Sequence, residues 1–119
     1  FTVLARSRGE WGDPADDVTA MTINYIFYSL QKYGKLTGVF EKLFRLFWEN
    51  YLQKTGDWEI LEVVPPFYAW RGLVVASPIW YPNLSRDVRV KLLNFVRNIL
   101  CEEKCIIDKI NLYIQIPNQ

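Results

Sequence analysis

Four carboxylates, at Glu10, Asp13, Asp16 and Asp17, surround one proline in the stretch RGEWGDPADDVTAM. Directly after them the chain turns apolar, with Val18, Met21, Ile23, Tyr25, Ile26, Phe27 and Leu30 in quick succession. The simplest chemistry of this pattern is helix capping. Asp13 suits an N-cap, whose side chain accepts free backbone N–H groups and contributes roughly 1 kcal/mol relative to alanine. Pro14 suits the first helical position, where a missing N–H costs nothing. Asp16 and Asp17 then set negative charge against the helix dipole in the first turn. Asp13 and Pro14 are read as structural caps, and Asp16 as a surface residue that complements the dipole.

Other residue types narrow the chemistry further. The chain has no histidine, so no imidazole base or imidazole metal site can be built within it. Its two cysteines, Cys101 and Cys105 in LCEEKCII, are spaced to share one face of a helix. A disulfide between neighbouring turns closes a tiny loop and adds little stability. Both are read as reduced, partly buried thiols that pack as small apolar groups. Trp70, Trp80, Tyr68 and Tyr81 leave two readings open: a cation–π cage for a quaternary ammonium group, or ordinary core aromatics. Arg45, Arg71, Arg89 and Arg97 are scattered rather than clustered into a nucleic-acid footprint.

Composition points the same way. Fourteen basic and thirteen acidic residues nearly cancel, so no net field draws the chain to nucleic acid or to an anionic membrane. Half of its 119 residues are hydrophobic and 16% are aromatic, which excludes a disordered chain and suffices for one packed domain. No apolar run approaches the roughly 20 residues that span a bilayer. No basic segment followed by an apolar one stands at the N-terminus. The expectation is a soluble, cytoplasmic protein with neither nucleic-acid nor membrane partners.

The elements that position these residues read as helix after helix. The first starts at the DPADD cap, is apolar on nearly every face, as a central helix would be, and stops at Gly34. The second, about Thr37 to Lys54, shows a stripe of Phe40, Leu43, Phe47 and Tyr51, flanked by Val39, Phe44 and Leu46, with Glu41, Arg45 and Glu49 on the opposite face. A short helix from Trp58 is expected to finish before Pro65, because a residue preceding proline avoids helical angles. PPFYAWRGLVVAS then reads as a third long helix, halted at Ser77 and Pro78, and IWYPN as an aromatic-rich connector. Ser85 caps a fourth helix running through LCEE, with Val88, Leu92, Phe95, Val96 and Ile99 as its buried stripe. The tail DKINLYIQIPNQ adds a turn or two. A strand signal exists in FTVLA alone, so the fold class is mainly α.

GEWGDPADDVTAM followed by a buried helix resembles the segment after the metal-binding aspartate in the aminoglycoside phosphotransferase and choline kinase-like family. In that family a strand-end Asp and a loop lead to Gly-Asp-Pro, then to an Asp and an apolar helix. Gly12, Asp13 and Pro14 match this pattern as they stand, and Asp17 with Val18 matches the Asp-apolar pair. The resemblance implies the helical C-terminal lobe of a protein kinase-like fold. Residues 1–12 would be the loop after the metal-binding strand and 13–119 a helical subdomain, together part of a larger catalytic domain.

By the same resemblance the full-length protein would transfer a phosphoryl group from ATP, with Mg2+, to a small-molecule hydroxyl. The catalytic Asp, the metal-binding Asp and the nucleotide-binding lobe would precede Phe1, since the chain contains no H-x-D-x-x-x-x-N and no glycine-rich phosphate loop. Asp17 would be a buried carboxylate bracing the upstream catalytic loop by accepting its backbone N–H groups. Glu10 and Trp11 would stand on the side where substrates bind. The expected partners are the missing N-terminal part of the protein or a second copy. The rival reading is a non-catalytic helical interaction module, in which GDPADD is only a cap and the apolar face of FEKLFRLFWENYL meets a partner helix.

Overall fold

A computed structural model of the chain describes residues 14–115. Five α-helices follow one another: α1 Pro14–Tyr33, α2 Gly38–Thr55, α3 Ile60–Ala76, α4 Arg86–Leu100 and α5 Ile110–Gln115, with a 3-10 turn at Ile107–Lys109 before the last. No strand occurs among the described residues, and the FTVLA signal lies outside them. The protein is mainly helical, as the sequence implies. No helix among the described residues is long and apolar enough to cross a membrane.

α1 opens at Pro14, whose ring pre-sets the helical φ and whose missing N–H is an orphan there anyway. Ala15, Val18, Ile23, Ile26, Phe27 and Leu30 are buried, whereas Asp17, Met21, Asn24, Tyr28 and Gln31 form one exposed stripe at helical spacing. The helix ends where Gly34 takes φ 78° and donates its N–H to the Leu30 carbonyl at 2.9 Å, a left-handed cap that glycine adopts without strain. Lys91 Nζ then takes the Gly34 carbonyl at 2.9 Å. Buried Ser29 shapes the α1–α2 turn: its hydroxyl donates to the Lys35 carbonyl and accepts from the Thr37 N–H.

α2 corrects the expected stripe. Phe44, Trp48 and Leu52 are buried, Phe40, Phe47 and Tyr51 are half-buried, and Leu43 is exposed. Apolar residues crowd nearly every position from Leu43 to Trp48, so their count alone does not choose a face. A hydrogen bond does. Trp48 Nε1–H donates to the Tyr68 hydroxyl at 3.1 Å, and that hydroxyl is 2.6 Å from Thr22 Oγ1. Thr22 Oγ1 in turn donates to the Val18 carbonyl at 2.7 Å. A hydroxyl has one hydrogen, so the direction is fixed: Trp48 donates to Tyr68, Tyr68 to Thr22, and Thr22 to Val18. This fully buried chain ties α2, α3 and α1 at one level.

α3 corrects a second expectation. It does not break before Pro65 but runs unbroken from Ile60 to Ala76 with Pro65 and Pro66 inside it. A proline there removes the hydrogen bond to the carbonyl four residues back, normally at a cost of about 3 kcal/mol. At Pro65 the deprived carbonyl is that of Leu61, and the Cys105 N–H donates to it at 2.7 Å. The chain after α4 thus supplies the donor that Pro65 lacks.

α4 matches its expected cap and face: Ser85 Oγ accepts the Val88 N–H at 3.3 Å, and Val88, Leu92, Phe95, Val96 and Ile99 are buried. It ends at Leu100, short of the expected Glu103. The N–H groups of Cys101 and Glu102 bond to the carbonyls of Asn98 and Ile99 at 3.2 and 3.1 Å, the short-range bonds that tighten a last turn. The cysteines therefore do not share a helix face. Cys101 is exposed, while Cys105 is buried against α3, and neither is in a disulfide. The short α5 is held by Asn94 and Asn98, which donate to the carbonyls of Ile114 and Tyr113. Asn111 grips both backbone groups of Leu36 at 2.8 and 2.9 Å.

Two outcomes are expected. Tyr68→Phe strips the Trp48 N–H of its acceptor inside the core and should cost about 1–3 kcal/mol in chemical denaturation. Gly72 lies where α3 packs tightly on α4: a Cβ there would stand 2.6 Å from Val96 Cγ2. Gly72→Ala should therefore destabilise by on the order of 1–2 kcal/mol despite its better helix propensity, and added Val96→Ala should remove most of that penalty. A fully additive pair would contradict the close contact.

Candidate functional site

The mouth of α1 gathers the described part of the acidic elbow. Pro14 and Ala15 are buried in the first turn, which anchors it to the core. Asp16 faces α3, where Arg71 Nη2 meets its carboxylate at 2.6 Å. Both side chains are partly exposed, so the pair contributes about 0.2–1 kcal/mol. Arg71 Nε is buried without a hydrogen-bond partner among the described residues. Beside Asp16, the side chains of Pro66, Phe67 and Trp70 line a shallow apolar recess of about 250 Å³.

Asp17 corrects the expectation of a buried carboxylate. It points to solvent on the exposed stripe of α1 and has no partner among the described residues. One residue along a helix turns the side chain by about 100°, enough to move it from the α3 side to the open side. The acid engaged within this fold is Asp16, expected to be a plain surface residue. Its partner Arg71 was not foreseeable from local spacing, because the pair joins two helices. Glu10, Trp11, Gly12 and Asp13 lie outside the described residues.

The four aromatics do not come together as a cage. Tyr68 is fully buried in the Trp48–Thr22 chain, and Tyr81 packs edge-on against Phe27 with ring centroids 4.9 Å apart. Trp70 stands at the elbow recess, and Trp80 is exposed on the connector beside a second recess of about 320 Å³. That connector is braced by Arg89, which donates to the carbonyls of Ala76 and Tyr81, both at 2.8 Å. A larger groove, about 500 Å³, runs beside α2 between Arg45, Trp48, Glu49, Leu52 and Gln53, with Gly56, Trp58, Ile107 and Asp108 completing its wall. Sequence reasoning missed this groove, because Ile107 and Asp108 reach it from the 3-10 turn before α5, far along the chain.

The described residues do not fit the ATP and Mg2+ that the resemblance implies. They hold no cluster of three or more His, Cys, Asp or Glu suited to a metal ion. Their positive-φ glycines, Gly34, Gly38 and Gly56, sit singly at helix ends rather than in a phosphate loop. Among nucleophiles, Cys105 is silenced by its setting: burial, with help from the Glu102 charge, pushes its thiol from an ordinary 9.0 up to about 12. Burial also raises the Tyr113 phenol, whose hydroxyl bonds Glu102 at 3.1 Å.

Cys105 should resist alkylation by iodoacetamide at pH 8 in the native protein while exposed Cys101 is modified, a contrast that peptide mass spectrometry resolves. The raised thiol also sets a sign for pH. The neutral thiol stabilises the fold fully below its ordinary value of 9.0, where the unfolded chain is also protonated. That contribution is lost as pH rises towards about 12, since the unfolded state then ionises and the folded state does not. Denaturant midpoints should fall above pH 9, and Cys105→Ala should flatten that fall. Equal labelling of the two thiols would contradict the burial.

No protein-family model matches the chain, and no curated protein or solved structure matches it either.

Proposed function

We propose that the chain is the helical part of a small-molecule phosphotransferase related to the aminoglycoside phosphotransferase and choline kinase-like family, walling the substrate side and steadying a catalytic loop contributed by sequence before Phe1. The observation that carries this reading is the division of labour at the elbow. Gly12-Asp13-Pro14 leads into a helix anchored by buried Pro14 and Ala15, with Asp16 tied to Arg71. Asp17 is left without a partner among the described residues, in the first turn of the helix. A carboxylate so placed suits a loop that brings its own backbone donors. Nucleotide and metal would be held entirely by that upstream sequence.

A second reading, a non-catalytic interaction module, draws support from the outer side of α2. Val39, Leu43 and Leu46 are exposed there at 57%, 39% and 54%, a stripe with no partner element among the described residues. The sequence before Phe1 separates the two. An Asp within two positions of Phe1 and an H-x-D-x-x-x-x-N before it are required by the first reading, and their absence ends it.

In the full-length protein Asp17→Ala should lower kcat by about a hundredfold through a displaced catalytic loop, with little change in melting temperature because the side chain is exposed. Asp16→Ala should do the reverse, losing a fraction of a kcal/mol of stability with its Arg71 pair and leaving kcat near wild type. Steady-state phosphoryl transfer and thermal melting check both. An Asp17→Ala enzyme turning over like wild type would overturn the assignment.

A further inference from the structure

The groove beside α2 has the size of a small-molecule site rather than of a packing defect, at about 500 Å³. Its floor is apolar and fixed, since Trp48 and Leu52 are almost wholly buried and the Trp48 indole is hydrogen-bonded to Tyr68. Trp58 forms a wall from a turn that is also fixed. Gly56 closes α2 at φ 66° with its N–H on the Leu52 carbonyl at 2.9 Å, and the Trp58 N–H donates to the Gly56 carbonyl at 3.0 Å. Yet Trp58 is 63% exposed, a flat apolar surface held in place by its backbone.

The charges around this apolar space are unequal. Arg45 is engaged by Asp108 across the groove and, at 3.6 Å, by Glu41 on its own helix. Glu49 has neither an ion-pair nor a hydrogen-bond partner among the described residues. One guanidinium thus stands among three carboxylates, and the uncompensated one, Glu49, lines the same groove as Trp48, Leu52 and Trp58. An anionic ligand would meet repulsion from Glu49 and Asp108. A neutral ring would gain the apolar contact alone. A cation carried on a flat apolar body gains three things at once: burial over the floor, stacking and cation–π attraction on the indole, and charge pairing at the rim.

We propose that this groove binds planar aromatic cations, an ammonium or amidinium group carried on one or two fused rings. The site shares no residue with the elbow and stands whether or not the phosphotransferase reading holds.

Three probes with a common ring test it: 1-naphthylmethylammonium, 1-naphthylmethanol and 1-naphthylacetate, each titrated into the intact protein by calorimetry and by heteronuclear NMR. The ammonium should bind about threefold or more tighter than the alcohol, the acetate should bind weakest, and the largest shifts should fall at the Trp58 indole N–H. Glu49→Gln should bring ammonium and alcohol within about twofold of each other without weakening the alcohol. Trp58→Ala should weaken both. Glu49 and Trp58 are exposed, so both variants should fold, as unchanged melting curves would verify. Equal binding of the three probes, a preference for ammonium undiminished by Glu49→Gln, or shifts centred away from Trp58 would each overturn the proposal.

Discussion

The Tyr68 hydroxyl, wholly enclosed and shared between Trp48 and Thr22, is the contact on which the arrangement of α1, α2 and α3 depends. Apolar contact is abundant in this chain but indiscriminate, because α1 and α2 both carry more hydrophobic residues than one face can bury. A buried polar group discriminates. The indole N–H of Trp48 must find an acceptor in the interior or incur about 1–3 kcal/mol, and only one rotation of α2 brings it to Tyr68. The same rotation sends Leu43 and Leu46 outward. Directional bonds in low dielectric polarise one another, so a chain ending at the Val18 carbonyl holds its helices more firmly than three separate contacts would.

A second constraint acts in the first turns of α3. Two prolines inside a helix leave carbonyls without their usual donors, and the Cys105 amide answers one of them. The chain beyond α4 is therefore part of what makes α3 a single helix. That same stretch carries Asp108 to Arg45 and so builds one wall of the groove beside α2. The shape of the groove therefore depends on where the turn before α5 is placed.

What could be read from the sequence was what has a local cause. The Ser85 cap, the glycine stop at Gly34 and the buried stripe of α4 each depend on residues within a turn or two, and each is found as expected. The misreadings share a different origin. Pro65 reads as a helix break because its compensating donor arrives from Cys105. The face of α2 is set by Tyr68 on α3, and the engaged acid of the elbow by Arg71 on α3. In these three cases the deciding partner is distant in sequence, and no local period encodes it; the early end of α4 at Leu100 is instead a local tightening on Asn98 and Ile99. The elbow was legible as a helix start at Pro14, while Glu10, Trp11 and Asp13 lie outside the described residues.

A double-mutant cycle between Thr22→Val and Trp48→Phe tests most directly whether these helices are joined through one hydroxyl. The two side chains belong to different helices and communicate through Tyr68. If the hydrogen bonds form a continuous chain, the double variant should lose less stability than the sum of the single variants, by about 0.5 kcal/mol or more. Additivity within about 0.3 kcal/mol would contradict the account and reduce the Tyr68 contacts to independent local bonds.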